Sequence, residues 1–383
     1  MRNLLKKMPL AAGMLLGAVG VMPSVAQAQS SVTLYGIIDT SLQYVNHAGG
    51  KQSQISMVTG NGLGTRWGLT GTEDLGGGLQ SVFKLENGFD STNGRLLQGS
   101  REFGRQAYVG LTSREWGSVL IGRQYDPLID QVLPTQGNFF VAGYWTAPGD
   151  VDNSQNTARI NNSVKWTSPV WRGVQVEGMY AFGGIAGAVA SGQTYSVAGS
   201  YTFGPARVAA GYLHIDNGNS SAVTRPSSST DAFFISAVNR AYASAKSIDI
   251  YRAGGRYTFG NVTLGGYYSQ SYYNADAAST FRTTQRYDSY GIYGVWQVSP
   301  ALALQTGYDY LNASGDSSAH YHQVSAAADY SLSKRTDLFC VVTYAHATGY
   351  NGIGPAQAAI ATVYVDAGTN SQMYVTAGVR HKF

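Results

Sequence analysis

The chain has 383 residues, with 26 Lys plus Arg against 22 Asp plus Glu, and only 13% of it is charged. That near-balance excludes the electrostatic footprint of a nucleic-acid binder, and the charged fraction falls far below the roughly 25% of ordinary globular chains. With a single cysteine, Cys340, no internal disulfide can form, so the fold must hold without covalent staples.

The first segment reads as an export signal, residues 1–28. Arg2, Lys6 and Lys7 open it, an apolar run follows from Leu10 to Met22, and Ala26-Gln27-Ala28 has the small-x-small form of a cleavage site. The run is shorter than the roughly 18 apolar residues needed to span a bilayer. Beyond residue 28 no helical span of that kind recurs. Glycine, at 48 residues, exceeds the usual ~7%, and 27 tyrosines are present. An exported chain poor in charge and rich in Gly and Tyr fits a transmembrane β-barrel, whose outer face excludes charge and carries aromatic girdles.

Period-two alternation then runs through the chain. Residues 32–45 place Val32, Leu34, Gly36, Ile38, Leu42 and Tyr44 on one face and Thr33, Tyr35, Asp39, Ser41 and Gln43 on the other. Further on, Trp67 and Leu69 oppose Arg66, Gly68 and Thr70, and Phe83 and Leu85 oppose Lys84 and Glu86. Sixteen strands are predicted near 32–46, 62–72, 79–89, 104–113, 117–123, 159–168, 173–182, 193–203, 206–215, 247–259, 262–272, 287–298, 301–311, 320–331, 337–347 and 371–383. Their connections alternate between short and long, as short periplasmic turns and longer outer loops do. Soluble sandwiches also alternate, but their outward faces are polar. An open sheet edge in hydrocarbon would leave backbone groups unpaired, so the sheet must close.

One long connection, residues 124–158, differs from the others. Pro127, Pro134, Gly137, Pro148 and Gly149 punctuate it, and Phe139, Phe140, Tyr144 and Trp145 stand between them. Unstructured connections this long are usually functional or disordered, and four aromatics argue for a loop that packs inside the barrel.

These residues resemble the general diffusion porins of Gram-negative outer membranes, of the β-proteobacterial kind. The stretches that carry the likeness are Ser31 to Asp39, Arg66-Trp67-Gly68-Leu69, Glu73 to Leu79, Arg105 to Leu111, Leu332 to Thr336 and Gly378 to Phe383. The final Phe383 on an alternating strand resembles the signal that such barrels present for assembly. The resemblance implies a 16-stranded antiparallel transmembrane β-barrel over residues 29–383, a homotrimer in outer-membrane lipid, an inward-folded third loop and no cofactor. It implies passive diffusion of small hydrophilic solutes and ions, not catalysis. It also places Arg66, Arg105 and Arg159 in a positive cluster facing the loop.

By alternation Arg66 and Arg159 fall on the polar face. Arg105 shares parity with Ala107, Val109 and Leu111, and a β-bulge would restore the match. Lys84 and Lys165 extend the positive wall, with Lys84 beside Glu86. The Pro-Glu-Phe-Gly-Gly loop motif of the enteric members is absent, and Leu133-Pro134-Thr135-Gln136-Gly137 stands near its place. The loop's acids are Asp126, Asp130, Asp150 and Asp152, and Asp126 and Asp130 are assigned to the constriction. If they point into the pore they weaken selectivity; if they lie against the wall, the pore prefers anions.

Other readings are open. Gly76-Gly77-Gly78 lacks the Lys-Ser/Thr of a phosphate cradle and reads as a turn. His320 and His322 share a strand face, without a carboxylate or Cys at ligand spacing. A channel specific for a sugar or carboxylate would share most motifs, and the polar-face tyrosines Tyr35, Tyr108 and Tyr267 would suit a sugar. An outer-membrane barrel enzyme would not need a Gly-x-Ser-x-Gly elbow, and none appears.

Overall fold

The computed structural model describes residues 31–217, 233–361, 363 and 365–383. The predicted export signal and the middle of the connection at 216–246 lie outside these. The described strands are β1 (Ser31–Val45), β2 (Gln54–Thr59), β3 (Arg66–Gly76), β4 (Leu79–Gly88), β5 (Gln106–Ser113), β6 (Gly117–Gln124), β7 (Ile160–Thr167), β8 (Val174–Ala181) and β9 (Thr194–Phe203). They continue as β10 (Ala206–Asp216), β11 (Ser247–Phe259), β12 (Val262–Asn274), β13 (Gln285–Gln297), β14 (Leu302–Ser314), β15 (Ala319–Ser331), β16 (Thr336–Gly349) and β17 (Ser371–Lys382). β1 pairs antiparallel with both β2 and β3, consecutive strands pair antiparallel from β3 onward, and β1 pairs with β17 from Ile37↔Lys382 to Val45↔Tyr374, so the sheet closes.

Seventeen strands nevertheless make sixteen staves. The predicted loop 47–61 hides β2, and β2 and β3 share one edge of β1: Thr40 faces Thr59, while Ile37 faces Arg66. Residues 60–65 leave the sheet between them. Asp39 drives this excursion inward. Its carboxylate accepts the Leu63 amide at 2.7 Å, and its carbonyl accepts the Thr65 hydroxyl at 2.8 Å and the Gly60 amide at 2.8 Å. Gly60, at φ 68, makes the exit turn that a residue with a Cβ rarely adopts.

The short turns follow the expected chemistry. Gly76, Gly77 and Gly78 all have positive φ, so this stretch is the β3–β4 turn.

Outward positions carry the predicted apolar residues, among them Val32, Leu42, Ile121, Ile292 and Val324. His320 and His322 also point outward, paired with the Tyr310 and Tyr308 hydroxyls at 3.0 and 2.7 Å. The buried apolar core sits within the barrel, where the connection after β6 packs against the inner wall. Leu128 and Val132 join Ala209, Leu213 and Ile250 there, while Val141, Tyr144 and Trp145 join Phe339, Val341 and Tyr374.

Candidate pore constriction

The inward loop, residues 125–159, is closed on itself at its base. Asp126 accepts the Leu128 amide at 2.9 Å and the Asn153 side-chain amide at 2.8 Å, and Asn153 in turn accepts the Ala158 amide at 2.9 Å. Asp126 is therefore fully buried and fastens the two ends of the loop, contrary to its expected place in the pore. Burial pushes its carboxyl above the usual carboxylate range. Asp150 is also internal. It accepts the Gln155 amide at 2.7 Å and the Thr157 hydroxyl at 2.6 Å, yet burial and then neighbouring Asp152 push its pKa up to about 7. Asp152 accepts the Ser269 hydroxyl at 2.5 Å on the wall.

From its base the loop crosses the lumen and lies along β10–β17. Side chains of the wall satisfy its backbone, which a buried loop requires. Tyr293 donates to the Thr135 carbonyl at 2.9 Å, Gln305 donates to the Gly137 carbonyl at 2.7 Å and accepts the Val141 amide at 3.0 Å, and Tyr273 donates to the Val151 carbonyl at 2.9 Å. Gln323 donates to the Tyr144 carbonyl, and Arg380 to that of Val141 at 3.1 Å. Close approach needs inward glycines. A Cβ on Gly307 would stand 2.4 Å from the Trp145 ring, and one on Gly254 2.2 Å from the Thr135 hydroxyl.

The wall of β1 and β3–β5 remains uncovered, and there the predicted cations meet. One register row crosses these strands as Tyr35, Gly68, Glu86 and Gln106. Because Gly68 has no side chain, the Tyr35 hydroxyl passes over it and donates to Glu86 at 2.8 Å. Glu86 is the hub of the cluster. Arg105 Nε lies 2.8 Å from it, Arg66 Nε 3.7 Å, Lys84 Nζ 4.0 Å, and the Tyr125 hydroxyl donates at 2.9 Å. Arg105 also donates to Tyr125 at 2.7 Å, and Arg159 stands over the Tyr125 ring at 6.0 Å. Three cations thus surround one carboxylate that is 2% exposed, and Arg159 joins them through Tyr125.

Two of the predicted arginines arrive by routes that alternation does not describe. Arg105 is not on a strand: β5 begins at Gln106, and a bend at Arg105, not a β-bulge, turns its side chain inward. Arg159 precedes β7. The bulge falls between it and the regular strand, where Gly122 faces Ser163 but Gln124 faces Ile160. Arg159 reaches the lumen as part of the loop's closing segment, where it donates to the Thr157 carbonyl at 3.2 Å.

Asp130 does not oppose the cluster. Its carboxylate holds Lys165, which donates also to the Tyr125 carbonyl at 3.1 Å. Nor do the tyrosines form a ladder: Tyr267 is buried and donates to Asp309 at 3.4 Å, and Tyr35 is committed to Glu86. Between loop and wall lies an open space of about 330 Å³. Arg66, Arg105, Arg159 and Tyr125 line it, with the 60–65 excursion and the neutral loop residues Asn138, Gln155 and Asn156. Among the described residues that line it there is no carboxylate.

The hub role of Glu86 and the part played by Tyr125 were not legible as such. A signal exists in retrospect: Glu86 is an inward carboxylate beside Lys84, on a row that Gly68 leaves open.

A family model described as Gram-negative porin matches residues 11–352. The chain is 33% identical to an outer membrane porin protein of Bordetella pertussis, with 89% of this chain and 94% of that relative covered. It is 31% identical to outer membrane porin protein 32 of Delftia acidovorans, with 96% and 98% covered. Among solved structures, an anion-selective porin from Comamonas acidovorans has the same fold, with a TM-score of 0.74 at 24% identity over 93% of this chain and 100% of that one.

Proposed function

The chain belongs to the Gram-negative porin family, an outer-membrane protein through which small hydrophilic solutes diffuse passively, and we propose that its constriction at Arg66, Arg105 and Arg159 sorts those solutes in favour of anions. One observation carries this reading: among the described residues, three guanidiniums and no carboxylate line the passage, while Glu86 lies behind them with its oxygens engaged. Rings of Arg favour anions at close quarters. Lys84, on the same inward face of β4 as Glu86, adds to the potential. Asp126 contributes only to loop closure, and Asp130 is offset by Lys165. Size exclusion comes from the loop, which leaves a gap against the β1–β5 wall.

The reading includes a homotrimer. Between residues 31 and 115 every strongly exposed large hydrophobic is non-aromatic, including Val32, Leu34, Leu42, Met57, Val109 and Leu111. Over β7–β16 aromatics such as Trp166, Tyr201, Tyr257, Trp296 and Tyr330 are exposed. Aromatic belts mark lipid interfaces. A flank without such exposed rings suits contact with neighbouring subunits, and the nearby loop at 90–103 stands at its rim.

The test is the reversal potential of the purified protein in a planar bilayer under a KCl gradient. An anion-signed potential that falls when Arg66, Arg105 and Arg159 are replaced by Gln supports the reading; a cation-signed potential in the unaltered protein refutes it.

A further inference from the structure

Below the loop, on the side of the short turns, two further arginines face the lumen. Arg207 follows the start of β10 by one residue, and Arg256 lies three residues before the end of β11. They are direct cross-strand partners, Arg207↔Arg256. Like charges placed opposite each other destabilise a sheet, so such a pair normally has an acid beside it. Here, among the described residues, neither arginine forms a salt bridge. Arg207 donates to the Thr202 hydroxyl and the Gln131 carbonyl, both at 3.2 Å, and its buried Nε has no hydrogen-bond partner. Arg256 stands over the rings of Phe139 and Phe140, at 5.6 and 5.3 Å.

Phe139 is the second unusual feature. Phe140 tilts onto Tyr293 and Trp145 is buried, but Phe139 is 45% exposed inside the barrel, away from any lipid-facing surface. An open aromatic face beside two guanidiniums without an acid complements a flat anion. A carboxylate would pair with the guanidiniums, which have no acid beside them among the described residues, and a ring attached to it would lie on Phe139 and in reach of the Arg256 cation. A small inorganic ion would meet the charge and leave the ring unused.

We propose that Arg207, Arg256, Phe139 and Phe140 form a binding site for aromatic carboxylates in the vestibule on the short-turn side of the constriction. The proposal rests on the chain being an open, anion-admitting pore. It assigns to a different set of residues the capacity to hold one class of anion on its way through.

The experiment uses the full purified protein in planar bilayers, with conductance measured against concentration in sodium benzoate, sodium acetate and sodium phosphate. Conductance in benzoate is expected to saturate at about tenfold lower concentration than in acetate or phosphate, the ratio that one cation–π or stacking contact supplies. Arg256→Gln and Phe139→Ala should each return the benzoate curve to that of acetate. Chloride conductance recorded on the same channels reports that each variant has folded. Equal saturation in benzoate and acetate, phosphate saturating as early as benzoate, or variants that keep the benzoate preference would each overturn the site. Absence of chloride conductance in the unaltered protein would instead defeat the channel reading.

Discussion

On β3 and β4 the inward side chains near the loop are Arg66, Lys84 and Glu86; on β10 to β14 they are Leu213, Ile250, Gly254, Tyr293, Gln305 and Gly307. Both walls alternate with the same period, yet one faces water and the other faces the loop. The covered wall matches a protein surface. It offers glycines where Trp145 and Thr135 approach, and amides and hydroxyls where loop carbonyls need donors. The open wall matches an aqueous path and collects charge around Glu86. An inward-facing position is thus defined less by its strand than by what the loop leaves uncovered.

Detaching the loop from the covered wall should erase the contrast, and this is the largest expected effect. Trp145 is 1% exposed, and truncating a buried Trp to Ala costs about 3–5 kcal/mol. Trp145→Ala should raise single-channel conductance and current noise as the loop loses its anchor. Conductance identical to that of the unaltered protein would show that the loop is held elsewhere. Gly307→Val attacks the same contact from the wall and should act in the same direction.

The open wall can be broken at its hub. Arg105 makes the shortest ionic contact to Glu86, so Arg105→Gln leaves a nearly buried carboxylate short of its main partner. That loss should cost about 3 kcal/mol of stability, against under 1 kcal/mol for Lys84→Gln, which stands 4.0 Å away and is partly exposed. Adding Glu86→Gln to Arg105→Gln should recover much of the loss, a coupling that a double-mutant cycle in urea unfolding would measure. Simple additivity of the two changes would deny Glu86 its role as hub.

A smaller effect sharpens the comparison through pH. The pKa of Asp150 rises from 3.8 in the free side chain to about 7 in the folded loop. Protonation therefore favours the folded loop. The contribution is fully present below about pH 3.8 and is lost as pH rises through about 7. Current noise should fall on acidification across this window, and Asp150→Asn should hold the quiet state at pH 7.5. Noise that keeps its pH dependence in the variant would assign it to another group.

The smallest effect is expected at Asp130. Asp130→Asn frees Lys165 and should move the reversal potential a few millivolts further toward anions, since ion-pair partners at partly exposed sites contribute little. A shift toward cations would mean that Asp130 faces the conducting path after all.

The strand pattern was legible because each stave carries its own evidence. Period-two alternation, Gly-rich short turns and the scarcity of charge are local properties, and they placed Tyr35, Arg66, Lys84 and Glu86 on the inward face. Where the backbone leaves regular extension, the pattern stops carrying information. Arg105 sits on a bend, Arg159 beyond a bulge, and β2 behind an excursion that Asp39 folds inward. Residues Asp126 and Asp130 show the same limit for charge. A carboxylate in a loop reads as solvent-facing until its partners, Asn153 and Lys165, are known.

The sequence by itself determined a closed barrel with an apolar exterior, sixteen staves and one loop too aromatic to remain outside, because alternation and composition act residue by residue on any extended chain. Only the tertiary structure decided that Asp126 fastens the loop, that Asp130 pairs with Lys165, and that no carboxylate stands among the described residues lining the constriction. Those outcomes depend on contacts between segments far apart in the chain, where burial and the nearest opposite charge govern each group and neither can be read from spacing.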